Sequence, residues 1–248
     1  MIAYTQYTKL DAEYVLERIR FFLEEDIPDG DKTTLGTVSP NKKVTAEIQA
    51  VESLVFSGNE VIPHCFDDDS AVHIPVKDGD ELMPGDIIGH VIGKAASILS
   101  RERVMLNLIQ RLCGIATQAK VYAELARPYG VKILDTRKTT PGLRLLEKYA
   151  VTCGGGYNHR SNLSDGVLIK DNHLKAVESV RVAVQNIRKL DNNLPIELEV
   201  DTFEQIHDGL AAGVDGFLLD NMHPNQIREA IQLIRNFAGG DSIFVEAS

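Results

Sequence analysis

Cationic side chains are concentrated in one segment of this chain, and their types suit them to binding chemistry. Residues 135 to 175 contain seven lysines and arginines and four acidic residues, although the whole chain of 248 residues has a net charge of −10. The planar guanidinium of arginine binds carboxylates or phosphates through two parallel hydrogen bonds, and lysine acts as a point charge. Such a local excess of positive charge in an acidic protein predicts a pocket for a strongly anionic ligand.

Arg137, Lys138, Arg160 and Lys170 are the cations best placed for such a pocket. Arg137 and Lys138 are adjacent at the end of a predicted strand, and Arg160 and Lys170 end or follow two later segments. His159 beside Arg160 adds a neutral or charged donor. A single lysine or arginine is most often a solvated surface charge, but that explanation fits poorly for a set at strand ends. We therefore expect these side chains to converge on a polyanion.

Two acidic residues close later strands. Glu199 lies near the end of the apolar segment 196–200, and Asp220 follows the segment 216–219. Carboxylates in these positions can coordinate Mg²⁺ or accept hydrogen bonds from sugar hydroxyls, and pairing with a nearby lysine explains each of them equally well. Glu197 alternates to the same face as Glu199, so the choice between the two glutamates stays open at this point.

A run of three glycines, Gly154–Gly156, precedes His159 and Arg160. It resembles a phosphate-binding loop, but a lone glycine-rich turn is weak evidence, and it lacks the spacing of the nucleotide-binding motifs. A tight turn that allows His159 and Arg160 to approach closely is an equally good interpretation.

Short strands alternate with helices after residue 130. The predicted strands are 132–134, 166–169, 196–200, 216–219 and 243–246, and the predicted helices between them are 142–152, 175–190, 203–212 and 224–237. This alternation indicates parallel βαβ units. The polar residues described above lie at strand ends, which is where parallel α/β sheets and barrels place their active sites.

The first hundred residues have a different pattern. A helix is predicted over 11–25 with Asp11 as its N-cap, followed by strands at 44–56 and 71–76 and further short strands up to about residue 91. A long apolar helix begins near Ile98 and is predicted to break near Gly114. The fold class is therefore α/β, with a compact α+β unit rich in short strands followed by parallel βαβ units.

Composition limits the classes of partner. A net charge of −10 argues against binding to nucleic acid or to anionic membranes, both of which need broad basic surfaces. Cys65, Cys113 and Cys153 have neither the spacing of a zinc site nor an even number for disulfides, which favours reduced thiols. The chain begins without a signal-peptide pattern and contains no apolar run of roughly 18 residues, so a cytoplasmic location is predicted.

Short motifs distributed along the whole chain combine into one pattern. They are Gly30-Asp31-x-Thr33-Thr34, Glu102-Arg103-x-x-x-Asn107, Cys113-Gly114-Ile115-Ala116-Thr117, Asp135-Thr136-Arg137-Lys138-Thr139, Asn158-His159-Arg160 after the glycine run, Leu168-Ile169-Lys170-Asp171-Asn172-His173 and Leu218-Leu219-Asp220-Asn221. Together they resemble the quinolinate phosphoribosyltransferase family, in which serine is usual at the position of Cys113. The resemblance implies an N-terminal α+β sandwich domain over residues 1–110 and an open parallel α/β barrel over residues 111–248. It also implies a homodimer or a hexamer of dimers.

The family's activity is the transfer of the phosphoribosyl group of phosphoribosyl pyrophosphate (PRPP) to quinolinate, with decarboxylation. Its products are nicotinate mononucleotide, an intermediate of NAD biosynthesis, pyrophosphate and CO₂. The resemblance implies no covalent intermediate on the enzyme, because the pyridinium nitrogen of the substrate accepts the electrons of the departing carboxylate. We therefore give Cys113 and Cys153 no nucleophilic role.

The resemblance also implies a role for each candidate residue. Arg137, His159 and Arg160 would bind the quinolinate carboxylates, with Thr136 beside them, and Arg103 would be donated across the dimer interface. The residues expected to take part in catalysis are Lys138 and Lys170, which reach towards PRPP, and Glu199 and Asp220, which bind the ribose hydroxyls and Mg²⁺. Ser248 is expected among the substrate-binding residues.

The end of the sequence and the choice of substrate complete these expectations. In the family, the strand that resembles 243–248 continues into a further βα unit that contacts the PRPP phosphates, so the barrel formed by this sequence is expected to be incomplete. A paralogue associated with molybdenum transport, or one that uses nicotinate, is an alternative with the same fold. A non-catalytic binding or scaffold protein is the alternative from another class.

Overall fold

The first helix, α1 (Ala12–Asp26), begins at its predicted N-cap. In this computed structural model, which describes residues 2–248, Asp11 Oδ1 accepts a hydrogen bond of 2.9 Å from the Tyr14 amide. Val15, Ile19 and Leu23 recur at the helical period and are buried along one face. The short helix α2 (Lys32–Thr37) follows, and Asp31 caps it through the Thr34 amide.

Two small antiparallel sheets follow these helices. The first has the order β1-β5-β3, formed by β1 (Lys43–Gln49), β5 (Ile87–Lys94) and β3 (Ala71–His73). The second pairs β2 (Leu54–Val55) with β4 (Glu81–Leu82). The strand predicted over 44–56 is thus divided between two sheets, because a bulge at Ile48/Gln49 and the bend that follows end the first pairing.

Helix α3 (Ala95–Ala126) is continuous over 32 residues. The predicted break at Gly114 is therefore wrong: Gly114 is exposed, and a single glycine in a helix with many buried contacts costs only about 1 kcal/mol. Helix α4 (Arg144–Cys153) follows and packs against α3. The strand predicted over 132–134 is reduced to one parallel bridge between Leu134 and Tyr157.

Residues 5–161 form one compact unit around a single hydrophobic core. Its most deeply buried side chains come from both the sheet region and the helices α3 and α4, and they include Phe56, Ile62, Leu112 and Leu146. Each of these side chains removes apolar surface from water and contributes about 1.5–3 kcal/mol. The antiparallel strands, α3 and α4 therefore belong to one cooperative unit.

Residues 162–248, together with residues 2–4, form a second compact unit built on a parallel sheet. The strand order is β6-β7-β8-β9, formed by β6 (Val167–Ile169), β7 (Ile196–Val200), β8 (Gly216–Leu219) and β9 (Phe244–Ala247). The helices are α5 (Asp171–Leu174), α6 (Val180–Leu190), α7 (Phe203–Ala212) and α8 (Pro224–Asn236). The predicted alternation of strands and helices is confirmed here, and the parallel sheet is open.

The core of this second unit lies between the sheet and its helices. Ile196, Leu198, Phe217 and Leu219 of the two central strands are completely buried, as is Ile206 of α7. Strands that are buried on both faces have continuous apolar runs, which explains why β7 and β8 stand out in the sequence.

The predicted α/β fold class is confirmed by these two arrangements. The division into compact units falls between residues 161 and 162, whereas the domain boundary predicted between residues 110 and 111 falls inside α3 and stays a prediction. Among residues 2–248, no helix is both long enough and apolar enough to cross a lipid bilayer.

Candidate active site

Four of the predicted site residues lie at the carboxyl edge of the parallel sheet. Lys170 follows β6, Glu199 is the penultimate residue of β7, Asp220 follows β8 and Ser248 follows β9. The register pairs Glu199 with Leu218 and Leu219 with Ala247, so these strands end at the same level. This edge is where open parallel sheets bind ligands, and the structure brings the four residues to it from four strands.

Lys170 and Glu199 form an ion pair at this edge. The Lys170 Nζ lies 2.5 Å from Glu199 Oε2, and the two side chains are 42% and 17% exposed. Glu199 is therefore paired with a nearby lysine, which was the alternative interpretation of this residue. The pairing does not exclude a role at the site. A lysine that is paired at a ligand edge can exchange its carboxylate for an anionic ligand at small cost, since half-exposed ion pairs are weak.

Asp220 has a different environment. Its Oδ2 accepts a hydrogen bond of 2.9 Å from the Asn221 side-chain amide, and no ion pair to it occurs within residues 2–248. Asn221 has φ +54°, the left-handed region that non-glycine residues rarely adopt, and its backbone N–H donates to the Ser248 carbonyl at 3.1 Å. Such local strain is common beside functional groups, where the surrounding structure holds it in place.

Glu197 and Glu199 differ in burial and in their partners. Glu197 is completely buried, and the Tyr4 hydroxyl donates to its Oε2 at 3.3 Å. Glu199 reaches the sheet edge and the Lys170 ammonium group. Of the two glutamates, Glu199 is the more accessible one, and its role in ligand binding stays a prediction.

The loop after residue 135 carries three further predicted site residues in the unit of residues 5–161. The Thr136 hydroxyl accepts a hydrogen bond of 2.9 Å from the Lys138 amide, which turns the loop tightly. The Lys138 side chain is exposed. The Arg137 Nε is buried and has no hydrogen-bond partner within residues 2–248. A buried donor without a partner costs about 1–3 kcal/mol, so this nitrogen is suited to an acceptor supplied by a ligand.

His159 and Arg160 are both buried, at 7% and 6% exposure. The backbone amide of His159 donates to Asp135 Oδ1 at 2.8 Å, and the Asn158 side chain donates to Asp135 Oδ2 at 2.7 Å. The two segments that carry Arg137 and Arg160 are thus bonded to each other through Asp135.

Lys148 is a buried residue of this region that sequence reasoning missed. Its side chain is fully inaccessible and its Nζ lies 2.5 Å from Asp135 Oδ1. A signal was present: Leu146, Tyr149 and Ala150 indicate that this part of α4 faces a core, so a lysine among them needs a buried partner.

Arg103 lies on the exposed surface of α3. It makes no hydrogen bond or ion pair with any residue of the described range 2–248. Its guanidinium is therefore available to a partner molecule, and the predicted donation across a dimer interface stays a prediction.

The glycine run Gly154–Gly156 forms a tight turn, which was one of its two interpretations. Gly155 has φ +82°, and the amides of Gly155 and Gly156 are bonded to the carbonyls of Thr152 and Val151 at 3.0 Å each. Because these donors are already used within the turn, the phosphate-binding interpretation is wrong. A Cβ atom at Gly154 would collide with the Ala116 carbonyl of α3, so this glycine also allows the two helices to approach.

The three cysteines are free thiols, as predicted. Burial raises the pKa of Cys113 and the pKa of Cys153 to about 11 each, and it raises the pKa of Cys65 to about 12. Few molecules carry a thiolate at these positions near neutral pH, and the thiolate is the reactive form. This agrees with the assignment of no nucleophilic role to Cys113 and Cys153.

The predicted residues thus form two groups. Thr136, Arg137, Lys138, His159 and Arg160 belong to the unit of residues 5–161, and the sheet-edge group belongs to the other unit. Each group is brought together within its own unit, and convergence of both groups on one ligand stays a prediction.

Comparison with known proteins identifies the family. The models of the quinolinate phosphoribosyl transferase N-terminal and C-terminal domains match residues 31–113 and 115–248. A probable nicotinate-nucleotide pyrophosphorylase [carboxylating] of Bacillus subtilis is 44% identical over 217 residues, which are 86% of this chain and 74% of the relative. The nicotinate-nucleotide pyrophosphorylase [carboxylating] of Mycobacterium leprae is 41% identical over 230 residues, which are 90% of this chain and 81% of the relative.

A solved structure gives the same result. The nicotinate-nucleotide pyrophosphorylase from Francisella tularensis is 33% identical, and it superimposes with a TM-score of 0.91 over 99% of this chain and 86% of that one. Similarity at this level extends over both compact units and includes the strands that carry the candidate site. The chain belongs to the quinolinate phosphoribosyltransferase family.

Proposed function

We propose that this chain transfers the phosphoribosyl group of PRPP to quinolinate and releases CO₂ and pyrophosphate, forming nicotinate mononucleotide for NAD biosynthesis. The relatives named nicotinate-nucleotide pyrophosphorylase [carboxylating] support this reaction. The observation in the structure that carries it is the buried Arg137 Nε, which has no acceptor among residues 2–248. A ligand carboxylate supplies the missing acceptor, and quinolinate has two adjacent carboxylates.

Capture of the dicarboxylate is assigned to Arg137, His159 and Arg160, with Thr136 beside them. The backbone segments that bear the two arginines are joined by the hydrogen bonds of Asp135, so their guanidinium groups start from fixed backbone positions. A rigid pair of cations offsets the mutual repulsion of the two carboxylates without reorganisation at the moment of reaction. The ring nitrogen is thereby held for attack on the ribose C1.

Binding of PRPP is assigned to Lys138, Lys170, Glu199, Asp220 and Ser248. The exposed ammonium of Lys138 and the half-exposed ammonium of Lys170 are suited to phosphate oxygens. The carboxylates of Glu199 and Asp220 accept from the ribose hydroxyls and stabilise the positive charge that develops on the ribose as pyrophosphate leaves.

Mg²⁺ is part of this proposal, and the donor set fits it. Asp220 offers carboxylate oxygens whose described neighbour is an amide, and Glu199 lies on the next strand. Mg²⁺ is usually held by one or two carboxylates together with substrate phosphates, and when bound it would neutralise charge on the departing pyrophosphate. Glu199 and Asp220 would hold it, directly or through water.

The remaining chemistry needs no nucleophile from the chain. Once the bond from the ring nitrogen to C1 has formed, the carbon–carbon bond to the adjacent carboxylate breaks, and its electron pair stays on that ring carbon, where the neighbouring positively charged nitrogen stabilises it. A proton then takes the place of CO₂ on that ring carbon. The chain's contribution is to bind, orient and neutralise charge.

Turnover tests the proposal directly. We expect the purified chain with quinolinate, PRPP and Mg²⁺ to release CO₂ from the carboxylate adjacent to the ring nitrogen and to form an equal amount of nicotinate mononucleotide. Removal of Mg²⁺ with EDTA should abolish both products, and added Mg²⁺ should restore them. Product formed from nicotinate as efficiently as from quinolinate would support the nicotinate-using paralogue, and binding of neither substrate would support the scaffold alternative.

The cytoplasmic location and the homodimeric or larger assembly complete the proposal. The exposed Arg103, which has no partner among residues 2–248, supports a site shared between two copies. A C2 dimer would supply Arg103 to both sites by the same symmetry operation.

A further inference from the structure

We propose that Lys148 is a positioning residue for substrate binding, a role that rests on the proposed function. Its buried ammonium group joins the segment that carries Arg137 to the segment that carries His159 and Arg160. It thereby sets the distance between the two arginines that bind the dicarboxylate.

The contacts of Lys148 reach both segments. Its Nζ lies 2.5 Å from Asp135 Oδ1 and donates to the His159 carbonyl at 2.9 Å. The same carboxylate oxygen accepts from the His159 amide at 2.8 Å. Both backbone groups of His159 are therefore held by the Lys148–Asp135 pair, which restricts both of its backbone dihedral angles. Arg137 lies two residues after Asp135, and Arg160 directly follows His159.

Asn158 ties the same pair to helix α4. Its side-chain amide donates to Asp135 Oδ2 at 2.7 Å and to the Lys148 carbonyl at 2.9 Å. Its Oδ1 accepts from the Tyr7 amide at 2.7 Å. A side chain with its donors and acceptor used in this way has one orientation, so the network has a single geometry.

A second side chain of α4 makes a parallel connection. Arg144 lies one turn before Lys148 on the same helix face. Its Nε donates to the Thr139 hydroxyl at 3.1 Å and its Nη1 donates to the Ser161 carbonyl at 3.0 Å. Helix α4 thus connects the loop after Asp135 with the segment 158–161 through two side chains, Arg144 and Lys148.

Burial of the Lys148 charge indicates a role in geometry. Lys148 is 1% exposed, and taking an ammonium and a carboxylate out of water costs more than packing two apolar side chains of similar size. An apolar pair would leave the His159 backbone and the Asn158 amide without these partners. Binding groups must be held to within about 0.5 Å of their working positions, and a fixed buried network does this.

The test compares KM for quinolinate with KM for PRPP. Lys148→Met keeps the length of the side chain and removes its charge, and we expect KM for quinolinate to rise about ten-fold or more, because small displacements of binding groups are costly. KM for PRPP should rise by a clearly smaller factor than KM for quinolinate, because Lys138 is the one assigned PRPP residue in this unit, and Lys170, Glu199 and Asp220 belong to the other unit. Lys148→Arg, which keeps the charge, should have an intermediate KM for quinolinate.

A control and a second variant separate positioning from stability. Lys120→Met removes a lysine of α3 that is paired with Glu81 outside the site, and it should change neither KM. If Lys148→Met does not fold, the two KM values are compared in the double variant Asp135→Asn/Lys148→Met instead. The double variant leaves no unpaired buried charge. The melting temperature of the double variant should be closer to that of the unmodified chain than the melting temperature of Lys148→Met is. Its KM for quinolinate should stay raised.

Three results would overturn the inference. One is an equal rise in both KM values for Lys148→Met, and another is a normal KM for quinolinate with only a lower melting temperature. The third is absence of quinolinate turnover by the unmodified chain, which overturns the proposed function as well. The first two leave the proposed function intact.

Discussion

Positively charged residues of the site differ in whether the protein already satisfies them. Lys148 is buried against Asp135, and Lys170 is paired with Glu199. Arg137 keeps a buried Nε without an acceptor among residues 2–248. The fully buried Lys148 organises the site, the half-exposed Lys170 can exchange its carboxylate for a ligand, and Arg137 gains most when an anionic ligand supplies the missing acceptor.

Replacement of Arg137 tests this distinction. We expect Arg137→Ala to weaken quinolinate binding by about 2–5 kcal/mol, because it removes one member of a buried, hydrogen-bonded charge pair. Titration calorimetry with quinolinate measures the effect. Lys138→Ala is the matched control: it removes the adjacent cation, and it should raise KM for PRPP with little change in quinolinate affinity. Unchanged quinolinate affinity in Arg137→Ala would refute the assigned role.

At the scale of elements, glycines have opposite roles in α3 and α4. Gly114 is exposed in the middle of α3, and a Cβ atom built there meets nothing within 4 Å. Gly154 ends α4, and a Cβ atom there would collide with the α3 backbone at Ala116. Gly114 lowers the stability of its helix, and no neighbouring atom requires a glycine there. Gly154 is required because the two helices approach each other closely at this residue.

Gly114→Ala should therefore stabilise the protein. We expect a gain of about 0.5–1 kcal/mol in the free energy of unfolding, because alanine restricts the unfolded chain and favours the helix. Urea denaturation measures it. Gly154→Ala should lower the free energy of unfolding, since the backbone of α3 or α4 has to shift. A loss of stability in Gly114→Ala would show that α3 is not continuous at this residue.

At the scale of the whole molecule, charge is distributed unevenly. The chain is acidic overall, at −10, and its site residues include a set of cations assigned to two anionic substrates. Arg103 stands apart from that set on α3, without a partner among residues 2–248. A second copy of the chain is the proposed recipient of this guanidinium.

Mixed dimers test whether the site is shared. Arg103→Ala and Arg160→Ala should each abolish activity as purified proteins. After equal amounts of both are mixed under conditions that exchange subunits, we expect roughly a quarter of the unmodified activity, because about half of the dimers are hybrids and each hybrid contains one intact site of two. Light scattering should confirm the dimer in each sample. No recovery in verified hybrid dimers would argue against donation of Arg103.

The sequence alone determined the class of fold and the positions of the strand-end residues. Apolar runs at 196–200 and 216–219 specified β7 and β8, so Glu199 and Asp220 were correctly placed at the sheet edge. Asp11 was correctly identified as a helix cap, because capping depends on residues three positions apart. Such features are local, and the pattern of neighbouring residues is enough to predict them.

Only the tertiary structure decided which polar residues are buried and what they contact. The sequence places Lys148 among apolar residues of a helix but does not identify its partner, and Glu197 and Glu199 are equivalent there by alternation. Their environments depend on segments far away in the chain: the Asp135 loop for Lys148, and Tyr4 for Glu197. The continuity of α3 through Gly114 has the same origin, since burial of its other residues outweighs the local cost of one glycine.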